Sequence, residues 1–346
     1  MANKSSQPVR TLRTAIVGAG LMGRWHADAV SRIGGTISAV ADSDPRKAAL
    51  LIRSHPQARA LPDLAGIVAD GLADVIHICT PAETHEALVQ QVLEAGLHSI
   101  VEKPLTETAD TTSNLLRLAE SKNLLLCPVH QFLFQPGVLR AQAAIDKIGP
   151  LLHVDTVICS AGAQFGPQDA DLVAVDILPG PLSLIARLLP GAVRVADWRI
   201  EHPAKGELRA STSAEKVSAS MLISLNGRPT VNALRLIGER GSAQVDLFHG
   251  FCVLEHGTVS RAHKIAHPFL QSGATLFSAA MNLISRTARS ESAYPGLREL
   301  IRRFYEALRT RGKPPVSPSE TLEVAAARDN ILAEIRRKVR PLHCEM

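Results

Sequence analysis

The run Ala15-Ile-Val-Gly-Ala-Gly-Leu-Met-Gly23 constrains the fold more than any other stretch of this chain. It reads as a β-strand that enters a glycine turn and leaves as a helix. Gly18, Gly20 and Gly23 stand in a G-x-G-x-x-G arrangement. The first glycine permits a tight turn. The second has no Cβ, so a pyrophosphate can approach the backbone. The third lets the helix pack against the strand. The helix then aims free N–H groups and its positive dipole end at the phosphates.

The surroundings support this reading. Residues 14–17 are apolar and partly β-branched, as in a buried strand. Residues 22–33 suit a helix that Gly34-Gly35 stops. A second strand over 36–41 ends at Asp42. An acidic residue roughly 20 positions beyond the glycines accepts hydrogen bonds from the ribose hydroxyls of NAD. The other reading of Asp42 is an N-cap or turn residue ahead of Pro45. Asp42 would repel a 2′-phosphate, so NAD is expected. Arg46 could reach round to such a phosphate, which keeps NADP open. Leu21, Met22 and Ser43 complete the expected cofactor contacts of this region.

At 346 residues the chain is long enough for two domains. The expected division is a dinucleotide-binding domain over 12–128 and a second, α+β domain over 129–346. Lys and Arg exceed Asp and Glu by 38 to 33, and only 3% of residues are aromatic. No basic stripe with interleaved aromatics appears, which argues against nucleic-acid binding. The five cysteines form no C-x-x-C pair, so neither a metal site nor a disulfide framework is expected, and a cytoplasmic location is. Residues 1–13 lack an apolar signal core, and no apolar run reaches the ~18 residues of a membrane helix.

Strand and helix alternate through the first part. Strands are expected over 75–79, 98–101 and 123–127, and helices over 83–95 and 108–121. This predicts a doubly wound parallel sheet with its ligand at the carboxyl ends of the strands. Those ends are Gly18, Asp42, Thr80-Pro81, Glu102-Lys103-Pro104 and His130. The pattern changes beyond Pro128. A helix over 136–147 is followed by a strand over 151–160, then by a proline-broken segment and short helix over 176–189. Strands over 217–225, 229–238 and 241–246 follow without helices between them. Asn226-Gly227 signals a hairpin joining the first two. A large, mostly antiparallel sheet is therefore expected, its open face a candidate subunit surface in a homodimer or homotetramer. An inserted helix is expected over 276–289, with closing helices over 297–310 and 321–337.

Cys79-Thr-Pro-Ala-Glu-Thr-His85 follows one strand and Glu102-Lys-Pro104 the next. With the glycine turn, and with His26 on the first helix, these motifs resemble the glucose-fructose oxidoreductase, inositol dehydrogenase and MocA (Gfo/Idh/MocA) family. The resemblance continues through Leu222-Ile-Ser-Leu-Asn-Gly227, Leu236-Ile-Gly-Glu-Arg-Gly241 and Pro315-Val-Ser-Pro-Ser-Glu-Thr-Leu322, and covers roughly residues 12 to 340. It implies an NAD(P)-dependent oxidoreductase acting on a small-molecule substrate. Thr80, Pro81 and His85 would flank the nicotinamide. Glu102 and His130 would join the cofactor contacts, and Lys103 would stand beside the substrate. A lysine there can hydrogen-bond the reacting oxygen and exchange its proton. The other reading is a surface lysine at a strand end.

Two departures from the family pattern stand out. Family members that oxidise sugars carry an aspartate followed four residues later by a histidine. Here Asp176 fits the aspartate, but Gly180 holds the histidine position. Losing a general acid or base costs about 10²- to 10⁴-fold. Asp176 is a catalytic candidate or, equally, a capping or solvated carboxylate. Relatives also place Asn and Arg near positions where this chain has Gln131, Phe132 and Leu133. Gln131, Phe132, Gln164 and Gly180 are thus the substrate-side candidates, with an apolar wall. Phe132 and Phe134 also fit as plain core. The expected reaction is hydride transfer between nicotinamide and a small, sugar-like or secondary-metabolite hydroxyl or carbonyl compound. A dinucleotide-sensing regulator and non-redox chemistry on the same scaffold are the alternatives.

Overall fold

The computed structural model describes residues 12–160, 170–191, 197–257, 260–288, 294 and 296–339. They divide into two compact units. The first runs to Glu107 and adds Thr111–Val129 and Ile301–Pro315; the second holds Thr108–Asp110, His130–Leu300 and the chain from Val316 onward.

The first unit alternates β1 (Arg13–Val17), α1 (Leu21–Arg32), β2 (Thr36–Ala41), α2 (Pro45–Ile52), β3 (Arg59–Leu61), α3 (Leu64–Ala69), β4 (Val75–Ile78), α4 (His85–Glu94), β5 (His98–Val101), α5 (Ala109–Ser121) and β6 (Leu126–Pro128). Its six strands are ordered β3-β2-β1-β4-β5-β6, and every neighbouring pair is parallel. This is the expected doubly wound sheet. The chain winds outward from β1 to β3, then restarts on the other side at β4. Open α/β sheets bind ligands at that reversal, outside the strand carboxyl ends. The central strands are apolar because helices cover both faces; all of β4 is buried. Local chemistry sets the helix starts. Asp44 accepts the Arg46 N–H at 3.0 Å ahead of Pro45, and Asp63 caps α3 through the Gly66 N–H at 3.0 Å.

The second unit contains α6 (Pro136–Ala143), α7 (Ile145–Ile148), β7 (Leu151–Cys159), α8 (Ala170–Ile177), α9 (Pro179–Leu188), β8 (Arg199–Glu201), β9 (Glu207–Ala214), β10 (Val217–Ser224), β11 (Val231–Gly238), β12 (Gly241–Asp246), β13 (Phe251–His256) and α10 (Arg261–Ala288). The helix α11 (Leu297–Thr310) follows, and α12 (Pro318–Val339) closes the described chain. The sheet is ordered β13-β12-β11-β7-β10-β9-β8 and is antiparallel except where β7 meets β10.

The expected hairpin at Asn226-Gly227 is absent, because β7 lies between β10 and β11. The dipeptide does other work. The Gly227 N–H donates to Ser224 Oγ at 2.6 Å, and Asn226 Nδ2 donates to Lys205 O and Glu207 Oε1, turning the chain into a crossover. The actual two-residue hairpin joins β9 to β10 at Glu215-Lys216, where Glu215 adopts φ 50°. Three helices also differ from expectation. The 136–147 helix is broken at Ala144. The helix expected over 276–289 begins at Arg261 and accommodates Pro268. The proline-broken segment is two helices, with Pro179 and Pro181 in the first turn of α9, where no intrahelical N–H is needed. Asp176 therefore lies inside α8 rather than in a loop.

Ser317 and Glu320 form a capping box on α12. The Glu320 N–H donates to Ser317 Oγ, and the Ser317 N–H to Glu320 Oε2. Glu320 also pairs with Arg187 of α9. Burial pushes its carboxyl upward, but Arg187 and Ser317 outweigh burial and hold it below the ordinary value.

Candidate active site

The glycine turn is built as its spacing demands. Gly18 has φ +94°, and an added Cβ would lie 2.6 Å from the Cys79 carbonyl oxygen. A Cβ on Gly23 would overlap the Gly18 carbonyl oxygen. Gly20 differs: none of the described residues lies within 4 Å of its Cβ position. Two glycines thus bring α1 against the sheet, and the third opens onto free space. Gly20 is also the N-cap of α1; it offers no side-chain acceptor, and the first turn has no acidic residue. The exposed Leu21 and half-buried Met22 follow it. Backbone donors at an uncapped helix start suit an anion.

Asp42 closes this cradle. Its Oδ2 accepts the Ala19 N–H at 2.7 Å, and its Oδ1 accepts the Asp44 N–H at 2.8 Å. The capping role ahead of Pro45 falls to Asp44 instead. Each carboxylate oxygen keeps a lone pair, which is what ribose hydroxyls require. Ser43 and Arg46 are exposed just beyond it. The uncapped helix start, the open space at Gly20 and the anchored Asp42 together fit a dinucleotide.

The loops after β4 and β5 are tied together by His85. Its buried ring meets the Thr80 carbonyl oxygen at 2.9 Å through Nε2 and the Pro104 carbonyl oxygen at 2.8 Å through Nδ1. Both nitrogens are used by the protein, so His85 braces the two loops. Thr84 Oγ1 donates to Thr80 Oγ1 at 2.7 Å and also bonds the carbonyl of the exposed Pro81. The Lys103–Pro104 peptide, left open by the sequence, is cis. Lys103 is half-buried at the end of β5.

Beside it runs a buried polar chain that sequence reasoning missed. Glu102 Oε2 accepts the Lys103 N–H at 3.2 Å, and Glu102 Oε1 lies 3.2 Å from His26 Nε2. His26 Nδ1 lies 2.9 Å from His77 Nδ1; His77 Nε2 lies 3.0 Å from the Tyr305 hydroxyl, itself 2.5 Å from Thr14 Oγ1. Hydrogen-bond accounting orders the protons. With a carboxylate accepting at Glu102, His26 donates from Nε2 and accepts at Nδ1. His77 then donates from Nδ1 and accepts the Tyr305 proton, and Thr14 donates to Tyr305. Burial, helped by His26, holds His77 well below its ordinary value, and burial raises the Tyr305 hydroxyl. His77 could have been singled out as a lone polar residue in an apolar strand. Its pairing with Tyr305, 228 positions away, carried no local signal.

In the second unit, Gln131 and Phe132 lie in a single 3₁₀ turn that opens at the buried His130. Gln131 Oε1 is buried with no hydrogen-bond partner among the described residues. A Cβ on Gly180 would lie 2.8 Å from the Phe132 ring. The two departures from the family pattern are therefore one: the ring of Phe132 occupies the space into which a side chain at 180 would grow. Phe134, by contrast, is core and carries the Arg187 guanidinium 5.9 Å above its ring. Asp176 is exposed in the last turn of α8. Gln164 lies outside the described residues.

Residues 12–130 match the family model described as the Gfo/Idh/MocA oxidoreductase family, NAD-binding Rossmann fold. The chain is 28% identical over 229 residues to the UDP-N-acetylglucosamine 3-dehydrogenase of Acidithiobacillus ferrooxidans, covering 66% of this chain and 68% of that protein. It is 33% identical over 113 residues to an inositol 2-dehydrogenase of Corynebacterium glutamicum, a match spanning 32% of this chain and 34% of the relative. The fold is shared with the WlbA dehydrogenase of Bordetella pertussis, solved with NADH and UDP-GlcNAcA: TM-score 0.76 and 16% identity, covering 95% of this chain and 96% of that one. With its cofactor cradle and its Glu-Lys-Pro strand end, this chain resembles the Gfo/Idh/MocA family of NAD-binding oxidoreductases, whose NAD-binding Rossmann domain its residues 12–130 match.

Proposed function

We propose that the protein transfers hydride between NAD and a sugar-like carbonyl or hydroxyl carbon, with Lys103 handling the proton at the substrate oxygen. Residues 12–128 would hold the dinucleotide, and 129–346 would supply substrate selection. The observation that carries this reading is Lys103 at the end of β5, its backbone fixed by Glu102 and its loop braced by His85. NAD, when bound, supplies or accepts the hydride. The protein's share is position and charge. A lysine ammonium at the reacting oxygen donates a hydrogen bond and then a proton as negative charge develops there.

Carbonyl reduction is the favoured direction. Oxidising a hydroxyl needs a base, and the family histidine that serves it is replaced by Gly180. Reduction needs only an acid, which Lys103 provides. In the second unit, Gln131 would accept a hydrogen bond from a substrate hydroxyl, because its buried Oε1 lacks a partner among the described residues. Phe132 would give the substrate an apolar neighbour, and His130 would stand on the cofactor side. Nucleotide-linked sugars are the first class to test, since the relatives named for UDP-N-acetylglucosamine and UDP-GlcNAcA carry that group.

The test offers the protein 4-deuterated NADH with keto forms of nucleotide sugars, free sugars and polyols. Deuterium on the former carbonyl carbon, with NADPH a poorer donor, is the expected result. NADH binding without label transfer to any carbonyl, while a substrate is converted at unchanged oxidation level, would overturn the redox reading.

A further inference from the structure

The helix α10 is turned inside out. From Ile265 to Ala288 the side facing its own unit is polar, and the side facing away is apolar. Ser278 is buried, and Gln271 and Asn282 are half-buried. Asn282 Nδ2 donates to the His249 carbonyl at 2.7 Å, Arg286 bonds the same oxygen at 3.0 Å, and His267 lies 3.7 Å from Glu255. These contacts pin the helix to β13 and the loop before it.

On the opposite side Phe269, Leu270, Leu276, Phe277, Leu283 and Ile284 are each at least 55% exposed. They form three adjacent pairs that repeat every seven residues. A seven-residue apolar repeat keeps one stripe facing another helix along its length. Gly273 and Ala280, both exposed, run between the pairs on the same stripe and would allow close approach of a second helix. At about 100° per residue these positions lie within an arc of roughly 140°.

We propose that this stripe pairs with the same stripe of a second copy of the chain, antiparallel about a two-fold axis near Leu276 and Phe277. Three observations select that occupant. The exposed apolar side chains of α10 amount to on the order of 1,000 Å², above the ~300–600 Å² patch of a typical monomer and enough for the ~800 Å² per partner of a standard interface. No charged residue occurs between Pro268 and Ser285, so the stripe has no cations for an anionic lipid surface and no charge to repel its own copy. The pattern is also self-complementary: about such an axis Gly273 of one copy faces Ala280 of the other, and large side chains close both flanks. The chain's own undescribed segments do not fit as a cover. The longest, MANKSSQPVRT, is polar, and none of the others has more than two large apolar residues in a row.

The experiment compares wild type with L276E/L283E by sedimentation at micromolar concentration, alongside NADH titration and thermal melting. Both substituted side chains are exposed, and NADH binding reports on the other unit. The expected result is a dimeric wild type and a variant at least 100-fold weaker in self-association, with NADH affinity within twofold. A second pair, Gly273→Cys and Ala280→Cys in one chain, should cross-link between copies with a short bis-maleimide. A monomeric wild type, a variant that remains dimeric, or a monomer that co-floats with phosphatidylcholine/phosphatidylglycerol vesicles would overturn the proposal.

Discussion

Gly180 and Phe132 show how much a single atom decides. A Cβ at 180 would stand 2.8 Å from the ring, so restoring a histidine forces that ring aside. Gly180→His alone should cost about 1–3 kcal/mol through overpacking, and Phe132→Ala in the same chain should recover part of it. Urea denaturation of the two singles and the double checks this; additive losses would mean that the residues do not compete for space. His77 makes a second residue-level prediction. It is buried and held neutral, with its folded value below its unfolded one. Its contribution is present above about pH 6.5 and is lost as pH falls, because only the unfolded chain then takes up the proton. His98 and His55 shift in the same direction. Stability should therefore fall from about pH 6.5 downward. His77→Gln, which keeps a hydrogen-bonding side chain, should flatten that slope in melts run from pH 8 to 5. An unchanged slope would place the acid sensitivity elsewhere.

At the scale of elements, the turn from β1 into α1 separates folding from binding. A Cβ added at Gly23 would overlap the Gly18 carbonyl oxygen, while one added at Gly20 would meet none of the described residues. Gly23→Ala should lower the melting temperature and NADH affinity together. Gly20→Ala should leave the melt within about 1 °C yet weaken NADH at least tenfold, about 1.4 kcal/mol. Isothermal titration beside thermal denaturation separates the two outcomes. This element was legible because its chemistry is local: three glycines, a strand before them and Asp42 after the next strand. The same local reading failed at Asn226-Gly227. Its turn chemistry is real, but β7 takes the place between β10 and β11, and residue patterns do not rank strands by position in a sheet. The helix α10 was legible as a helix over 276–289, but not its first half, which contains Pro268, a residue that helix interiors disfavour.

For the whole molecule, what remained illegible was long-range. The chain Glu102–His26–His77–Tyr305–Thr14 joins residues from both ends of the sequence, and Gly180 meets Phe132 across 48 positions. Glu102, Lys103 and His26 were each visible from their motifs; the buried network behind them needed the fold. Its role follows from burial. A fully paired polar chain at a strand end is rigid, and an unpaired member would cost about 1–3 kcal/mol. Rigidity there fixes the backbone that presents Lys103. The net charge of +5 suits an anionic dinucleotide without identifying the substrate.

The most direct test of the central claim is single-turnover reduction of the substrate by Lys103→Ala, beside NADH binding to the same protein. The account predicts NADH affinity within about twofold of wild type and a rate lower by about 10²- to 10⁴-fold. An unchanged rate with intact NADH binding would contradict it.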